Sequence, residues 1–167
     1  MDNKLDISAL EKAAQAFDNA LAFARKVEEK PADAHEFYEI EVAQSAVIKH
    51  FEFTYELCWK IMKRYIEMDS GSEEADVLTR KDLFRLSAEK KLIASFAQWV
   101  KFHEDRNRTS HVYHKEIADE VYETAKQFAG PLHDFIAALE KRFYHAISPE
   151  FRAIIDGGNE KIFSRGK

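Results

Sequence analysis

The stretch VIKHFEFTYELCWKIMKRYIEM, residues 47–68, contains neither glycine nor proline. Within it Val47, Phe51, Cys58, Ile61, Tyr65 and Met68 recur at intervals of three, four and seven residues, the repeat that places side chains on one face of an α-helix. Phe53, Leu57 and Trp59 fall outside that seam and spread apolar surface around the cylinder. A helix apolar on several sides needs neighbours on several sides. With Ile40 continuing the seam upstream, the pattern predicts a central helix over 36–68.

The flanking sequence supplies the neighbours. Leu10, Ala14, Phe17, Leu21, Ala24 and Val27 form one stripe, with Asp6 or Ser8 as caps and Pro31 just beyond, predicting a helix over 7–29. After residue 68, Asp69-Ser70-Gly71-Ser72 breaks the central helix, and Gly71 is expected to supply a left-handed C-terminal cap followed by a turn. Thr79 can cap a short helix over 80–89 with Leu83, Phe84 and Leu86 inward, and Ser95 another carrying Phe96, Trp99, Val100 and His103. A last long helix over 115–143 keeps Ile117, Val121, Ala125, Phe128, Leu132, Phe135 and Leu139 in register, with a kink expected at Gly130 and Pro131. Strand alternation is absent. The expected fold is an all-α, antiparallel four- to five-helix up-down bundle over 1–146, with 147–167 as a C-terminal tail.

Composition agrees with one globular domain: 167 residues, 46% hydrophobic and 33% charged. The lone Cys58 and the lack of a secretion-type opening segment lead us to expect a cytoplasmic protein. No apolar run approaches the roughly 20 residues that span a bilayer, so no membrane association is expected. The net charge of −5 argues against coating nucleic acid by bulk electrostatics. The charge is nevertheless uneven. Residues 28–41 are acidic, whereas 79–91 and 101–115 are basic.

Glycine-rich phosphate loops, zinc-type cysteine pairs, nucleophile elbows and di-iron glutamate–histidine sets are all missing. What stands out is the polar interruption Arg106-Asn107-Arg108-Thr109-Ser110-His111-Val112-Tyr113-His114 between two helical segments. Arg106 falls at the end of one helix and His111 in the connection or the next first turn, so both can face one cleft. Histidine exchanges protons near neutral pH and a guanidinium grips phosphate oxygens in pairs. Together they suffice to cleave RNA without a metal, because the substrate's 2′-hydroxyl is the nucleophile and only proton transfer and charge stabilisation remain. Spacing alone favours a plainer reading, a positive helix C-terminus with Arg106 complementing the helix dipole and His111 capping or solvated. A third possibility is a metal held by His111 and His114, with Asp119 or His103 added. Tyr55 and Trp59 read as core, and His50 and His133 as core or boundary residues.

Three segments taken together, namely Phe51-Glu52-Phe53-Thr54-Tyr55-Glu56-Leu57-Cys58-Trp59-Lys60, the basic helix after Thr79, and Glu104-Asp105-Arg106-Asn107-Arg108-Thr109-Ser110-His111-Val112-Tyr113, resemble the nucleotidyltransferase substrate-binding protein family. That family is part of the HEPN (higher eukaryotes and prokaryotes nucleotide-binding) superfamily. The resemblance covers about residues 5–143, and Arg106, His111 and Tyr113 meet its R-x4-H-x-Y pattern in full, with Arg108 as an added cation inside it. It implies a homodimeric HEPN-like bundle with the two motifs near the dimer interface. It further implies a metal-independent endoribonuclease toxin, paired with a small nucleotidyltransferase antitoxin that transfers AMP to Tyr113, and no cofactor of its own. In this reading Arg106 binds the scissile phosphate of the RNA substrate, His111 is the general base or acid, and Asn107 orients one or the other. The family's alternative description is a non-catalytic substrate-binding subunit of a two-component nucleotidyltransferase. For the dimer, surplus apolar surface on the central helix or the Trp99 face is the expected contact.

Overall fold

The computed structural model describes residues 5–146 apart from 32, 35 and 37. The tail expected over 147–167 lies outside the described residues. Those described form helices α1 (Ser8–Glu28), α2 (Glu39–Ser70), α3 (Ser72–Asp76), α4 (Arg80–Glu89), α5 (Phe96–Arg108) and α6 (Lys115–Ala146), with a 3-10 turn at Thr109–His111 between the last two. No strand occurs among them.

Long-range hydrogen bonds give the topology. Gln44 bonds Glu28 while Thr54 bonds the Ala13 carbonyl, so α2 runs antiparallel to α1. Asp105 meets Thr124 and Arg108 meets Glu120, which makes α5 and α6 antiparallel. Tyr122 reaches Glu28 and His133 reaches Asp18, so α6 also opposes α1. The bundle is therefore up-down-up-down, with α3 and α4 carrying the chain from the end of α2 to the start of α5.

The apolar stripes meet in one core. Phe17, Phe51, Tyr55, Phe84, Trp99, Phe102, Phe128 and Phe135 are fully or almost fully buried. Phe128 is the hub: its ring lies edge-on to Phe51, Trp99 and Phe102 at 5.2, 5.6 and 5.1 Å between centroids, the geometry that aromatic quadrupoles favour. Trp99 is thus spent inside the chain. The expectation that its face is left for a second copy is corrected, and the exposed large apolar side chains are instead Val42 and Phe53 on α2 and Tyr38 just before it.

Local chemistry explains several helix ends. Thr79 and Asp82 form a reciprocal capping box at α4 and Ser95 Oγ accepts from the Gln98 N–H at α5. At the other end of α4, Lys91 takes φ +57°. Its N–H donates to the Ala88 carbonyl at 2.9 Å while the Leu92 N–H donates to the Ser87 carbonyl at 2.8 Å. This is the paired Schellman closure that ordinarily places glycine at the left-handed position. The cap expected at Gly71 differs: φ is +101° but ψ is 154°, a region open essentially to glycine alone rather than the left-handed helical one. Helix α2 also continues through Asp69 and Ser70, and α3 occupies part of the expected turn. Helix α6 runs through Gly130 and Pro131 without ending. Proline has no N–H, so the Gln127 carbonyl lacks its intrahelical donor there.

Candidate functional site

The motif begins where α5 stops. Thr109 Oγ1 donates to the Arg106 carbonyl at 2.8 Å and Ser110 Oγ to the Asn107 carbonyl at 3.4 Å. The Arg106 carbonyl also accepts from the Thr109 N–H, so the hydroxyls reinforce the last carbonyls of α5 as the chain tightens into the 3-10 turn carrying His111. The His114 N–H then bonds the His111 carbonyl and the Ala118 N–H bonds the His114 carbonyl, starting α6.

One residue before Arg106, the carboxylate of Asp105 is 1% exposed and is held by Lys101, Arg108 and Thr124 at 2.5, 2.9 and 2.6 Å. Burial alone would raise its pKa, but these three donors outweigh that and keep it below the usual carboxylate range. Arg108 bridges on to Glu120 at 2.6 Å. The additional cation in the motif is therefore a clamp between α5 and α6, already neutralised.

Arg106 turns towards α2. Its Nε lies 2.7 Å from Glu56 Oε1 and an Nη 3.8 Å from Glu52 Oε1. The Nε contact is an ion pair by distance, yet the buried N–H makes no hydrogen bond of good direction. Glu56 is itself fixed by the Trp59 indole N–H, at 2.7 Å. The Arg80 guanidinium covers the Trp59 ring at 3.7 Å from its centroid, a cation–π contact.

His111 and Tyr113 are exposed, Tyr113 to 75%, and His111 Nδ1 lies 3.4 Å from the Tyr113 hydroxyl. The Tyr113 ring also packs on His114, at 4.3 Å between centroids. Tyr113 rims an open cleft of about 600 Å³ between the first half of α2 and the start of α6, with Ile40, Ile48, Val112 and Ala118 among its apolar walls. Of the four residues singled out by sequence, then, His111 and Tyr113 are in mutual contact and Arg106 is braced by α2. Asn107 faces His103, at 3.3 Å between Nδ2 and Nε2, rather than Arg106 or His111. No group of three histidine, cysteine or carboxylate side chains able to hold a metal occurs among the described residues, so His111 and His114 gain no third ligand of that kind.

Sequence reasoning missed the support behind the motif. His103 Nδ1 lies 2.8 Å from the hydroxyl of buried Tyr55, to which Arg80 donates at 3.3 Å. Burial, then the positive charges of Arg80 and Arg106, lower the His103 pKa against the opposing pull of Glu56 and Glu104. Burial pushes the Tyr55 phenol up to about 12. Glu52, Tyr55, Glu56 and Trp59 share one face of α2 at spacings of three, four and seven. Polar groups interrupting an apolar face were the available signal.

Residues 5–141 match the family model described as nucleotidyltransferase substrate binding protein like. A protein named probable ribonuclease HepT from Haemophilus influenzae is 35% identical over 85 residues, 50% of this chain and 58% of the relative. The match thus spans little more than half of that relative's length. Among solved structures, HI0074 from Haemophilus influenzae, described as revealing the fold of a substrate binding domain of a nucleotidyltransferase, superposes with a TM-score of 0.74 at 25% identity, covering 81% of this chain and 99% of the other. A Thermus thermophilus structure with a TM-score of 0.57 and 22% identity covers 76% and 98% and shares the fold.

Proposed function

From the premise that this chain belongs to the nucleotidyltransferase substrate binding protein like family, we propose that it is a metal-independent endoribonuclease regulated by a partner nucleotidyltransferase. The observation that carries this reading is the arrangement at the end of α5. A half-buried guanidinium braced from one side by Glu56, an exposed amide and an exposed imidazole lie within six residues. The RNA 2′-oxygen attacks the adjacent phosphorus while His111 transfers protons, the bond to the 5′-oxygen breaks, and a 2′,3′-cyclic phosphate and a 5′-hydroxyl result. Arg106 stabilises the charge that develops on the non-bridging oxygens, which is the largest demand of such a step. Asn107 adds a neutral donor.

Tyr113 is the regulatory acceptor. Its exposed oxygen attacks the α-phosphorus of ATP on the partner, pyrophosphate leaves and the phenolic proton is lost. The bound AMP then sets an anion beside His111, where it competes with the RNA phosphate. The exposed Val42 and Phe53 of α2, with Tyr38 just before it, support a homodimer through this helix. A second reading, a non-catalytic subunit presenting a substrate to the nucleotidyltransferase, is favoured by the open cleft beside Tyr113.

Purified chain incubated with RNA in EDTA separates the two. Cleavage leaving cyclic phosphate ends, slowed about a hundredfold or more in both Arg106→Ala and His111→Ala, is the expected result. Equal cleavage by wild type and both variants removes these residues from catalysis. Absence of cleavage in every form leaves the substrate-presenting reading.

A further inference from the structure

We propose that Arg80, Tyr55 and His103 form a hydrogen-bond relay that fixes which end of the Asn107 amide faces the substrate, making Tyr55 and His103 positioning residues for a phosphate donor. The inference rests on the ribonuclease reading and names what orients one group in it.

The direction of the relay follows from which groups can donate. Tyr55 is fully buried, so its hydroxyl hydrogen must find an acceptor inside the protein. Its two polar neighbours are Arg80 Nη1 at 3.3 Å and His103 Nδ1 at 2.8 Å. A guanidinium only donates. Arg80 therefore donates to the Tyr55 oxygen, and the Tyr55 hydroxyl donates to Nδ1. A neutral imidazole that accepts at Nδ1 carries its proton on Nε2.

That N–H points at the Asn107 amide, 3.3 Å away. Two N–H groups set against each other make no bond. A half-turn of the amide brings Oδ1 to His103 Nε2–H and turns both hydrogens of the exposed Asn107 nitrogen away from the ring. In this state the outward end of the Asn107 amide offers donors only, which suits a phosphate. The opposite tautomer would accept from the Asn107 nitrogen, orphan the buried Tyr55 hydroxyl and present the amide oxygen, an acceptor, to the same phosphate. The relay needs a neutral His103, because a protonated ring donates at Nδ1 and opposes the Tyr55 hydroxyl. The charged groups facing the ring are Arg80 from α4, Glu56 from α2, and Glu104 and Arg106 from α5; burial and the two arginines win, and the neutral form is favoured.

Imidazole ¹⁵N shifts of the full chain, read at pH 7.5 without RNA, are expected to show His103 as the Nε2–H tautomer, with that preference weakened in Tyr55→Phe. An Nδ1–H tautomer in the wild type overturns the relay. In RNA cleavage, His103→Ala and Asn107→Ala are each expected to lower kcat about tenfold, and the double variant to lose no more than either alone, because both break the same connection. A double variant whose loss is the product of the two overturns the positioning role and leaves His103 as packing. A wild-type chain that cleaves no RNA overturns the ribonuclease reading, and the tautomer measured on the free protein still decides the relay.

Discussion

Replacing Asp105 tests the anchor that sets the end of α5. The magnitude follows from what each partner does once the carboxylate is gone. Thr124 is only 4% exposed and its hydroxyl donates to Asp105 at 2.6 Å, so Asp105→Ala strands a buried polar group at a cost of about 1–3 kcal/mol. Lys101 and Arg108 are partly solvated, and Arg108 keeps Glu120. Their share is therefore at most about 1 kcal/mol between them. The expected loss is about 1–4 kcal/mol for Ala, a large part of a typical domain's stability. Asp105→Asn keeps the shape and one acceptor oxygen and should lose less.

Urea unfolding followed by the helical circular dichroism signal at pH 7 measures both variants. Because the folded carboxyl titrates below its ordinary value, its contribution is fully present above the unfolded pKa of about 3.9 and is lost as pH falls through the folded one. The gap between wild type and Asn should therefore narrow on acidification below about pH 4. A loss under about 0.5 kcal/mol for Ala, the range of ordinary surface changes, would refute the anchor. So would a gap that widens in acid.

Three further outcomes are expected. Lys91→Gly should raise the urea midpoint by the equivalent of about 1 kcal/mol, since a side chain is removed from a left-handed residue whose two closing hydrogen bonds are unchanged. Phe128→Ala, which empties the centre of the aromatic cluster, should cost about 3–5 kcal/mol in the same assay. Tyr113→Phe should retain RNA cleavage yet gain no AMP by mass spectrometry when mixed with the partner nucleotidyltransferase, ATP and Mg²⁺. AMP found on another residue of that variant would displace Tyr113 as the acceptor.

Much of the bundle can be read along the chain because its determinants are local. The seam from Val47 to Met68, the cap residues Thr79 and Ser95 and the polar break after Arg106 each act over one or two helical turns. The left-handed closure on Lys91 could not be read that way, since lysine carries no signature of positive φ and the closure shows only in its two hydrogen bonds and the burial of Leu92. Gly71 misled for the complementary reason: glycine announces freedom without saying which of its allowed regions is used. At the site, the position of the motif was legible and its bracing was not. Tyr55 and His103 are 48 residues apart, and a pattern of period 3.6 ranks faces within a helix without saying which faces meet. Arg108, a spare charge in the sequence, proves committed to Asp105 and Glu120.

The ten residues from Glu104 to Tyr113 look portable, a cassette that could be spliced into another helical scaffold. The contacts made by Arg106 and by the residues behind it say otherwise. Glu52, Tyr55, Glu56 and Trp59 come from one face of α2, whose adjoining face is Phe51, Thr54 and Cys58 in the core. Turning α2 by a single residue, about 100°, would carry the whole bracing set away from Arg106. The smallest transplantable unit therefore includes α2, α4 and α5 with the core between them. An engineer who repacks that core is also adjusting the aim of the guanidinium.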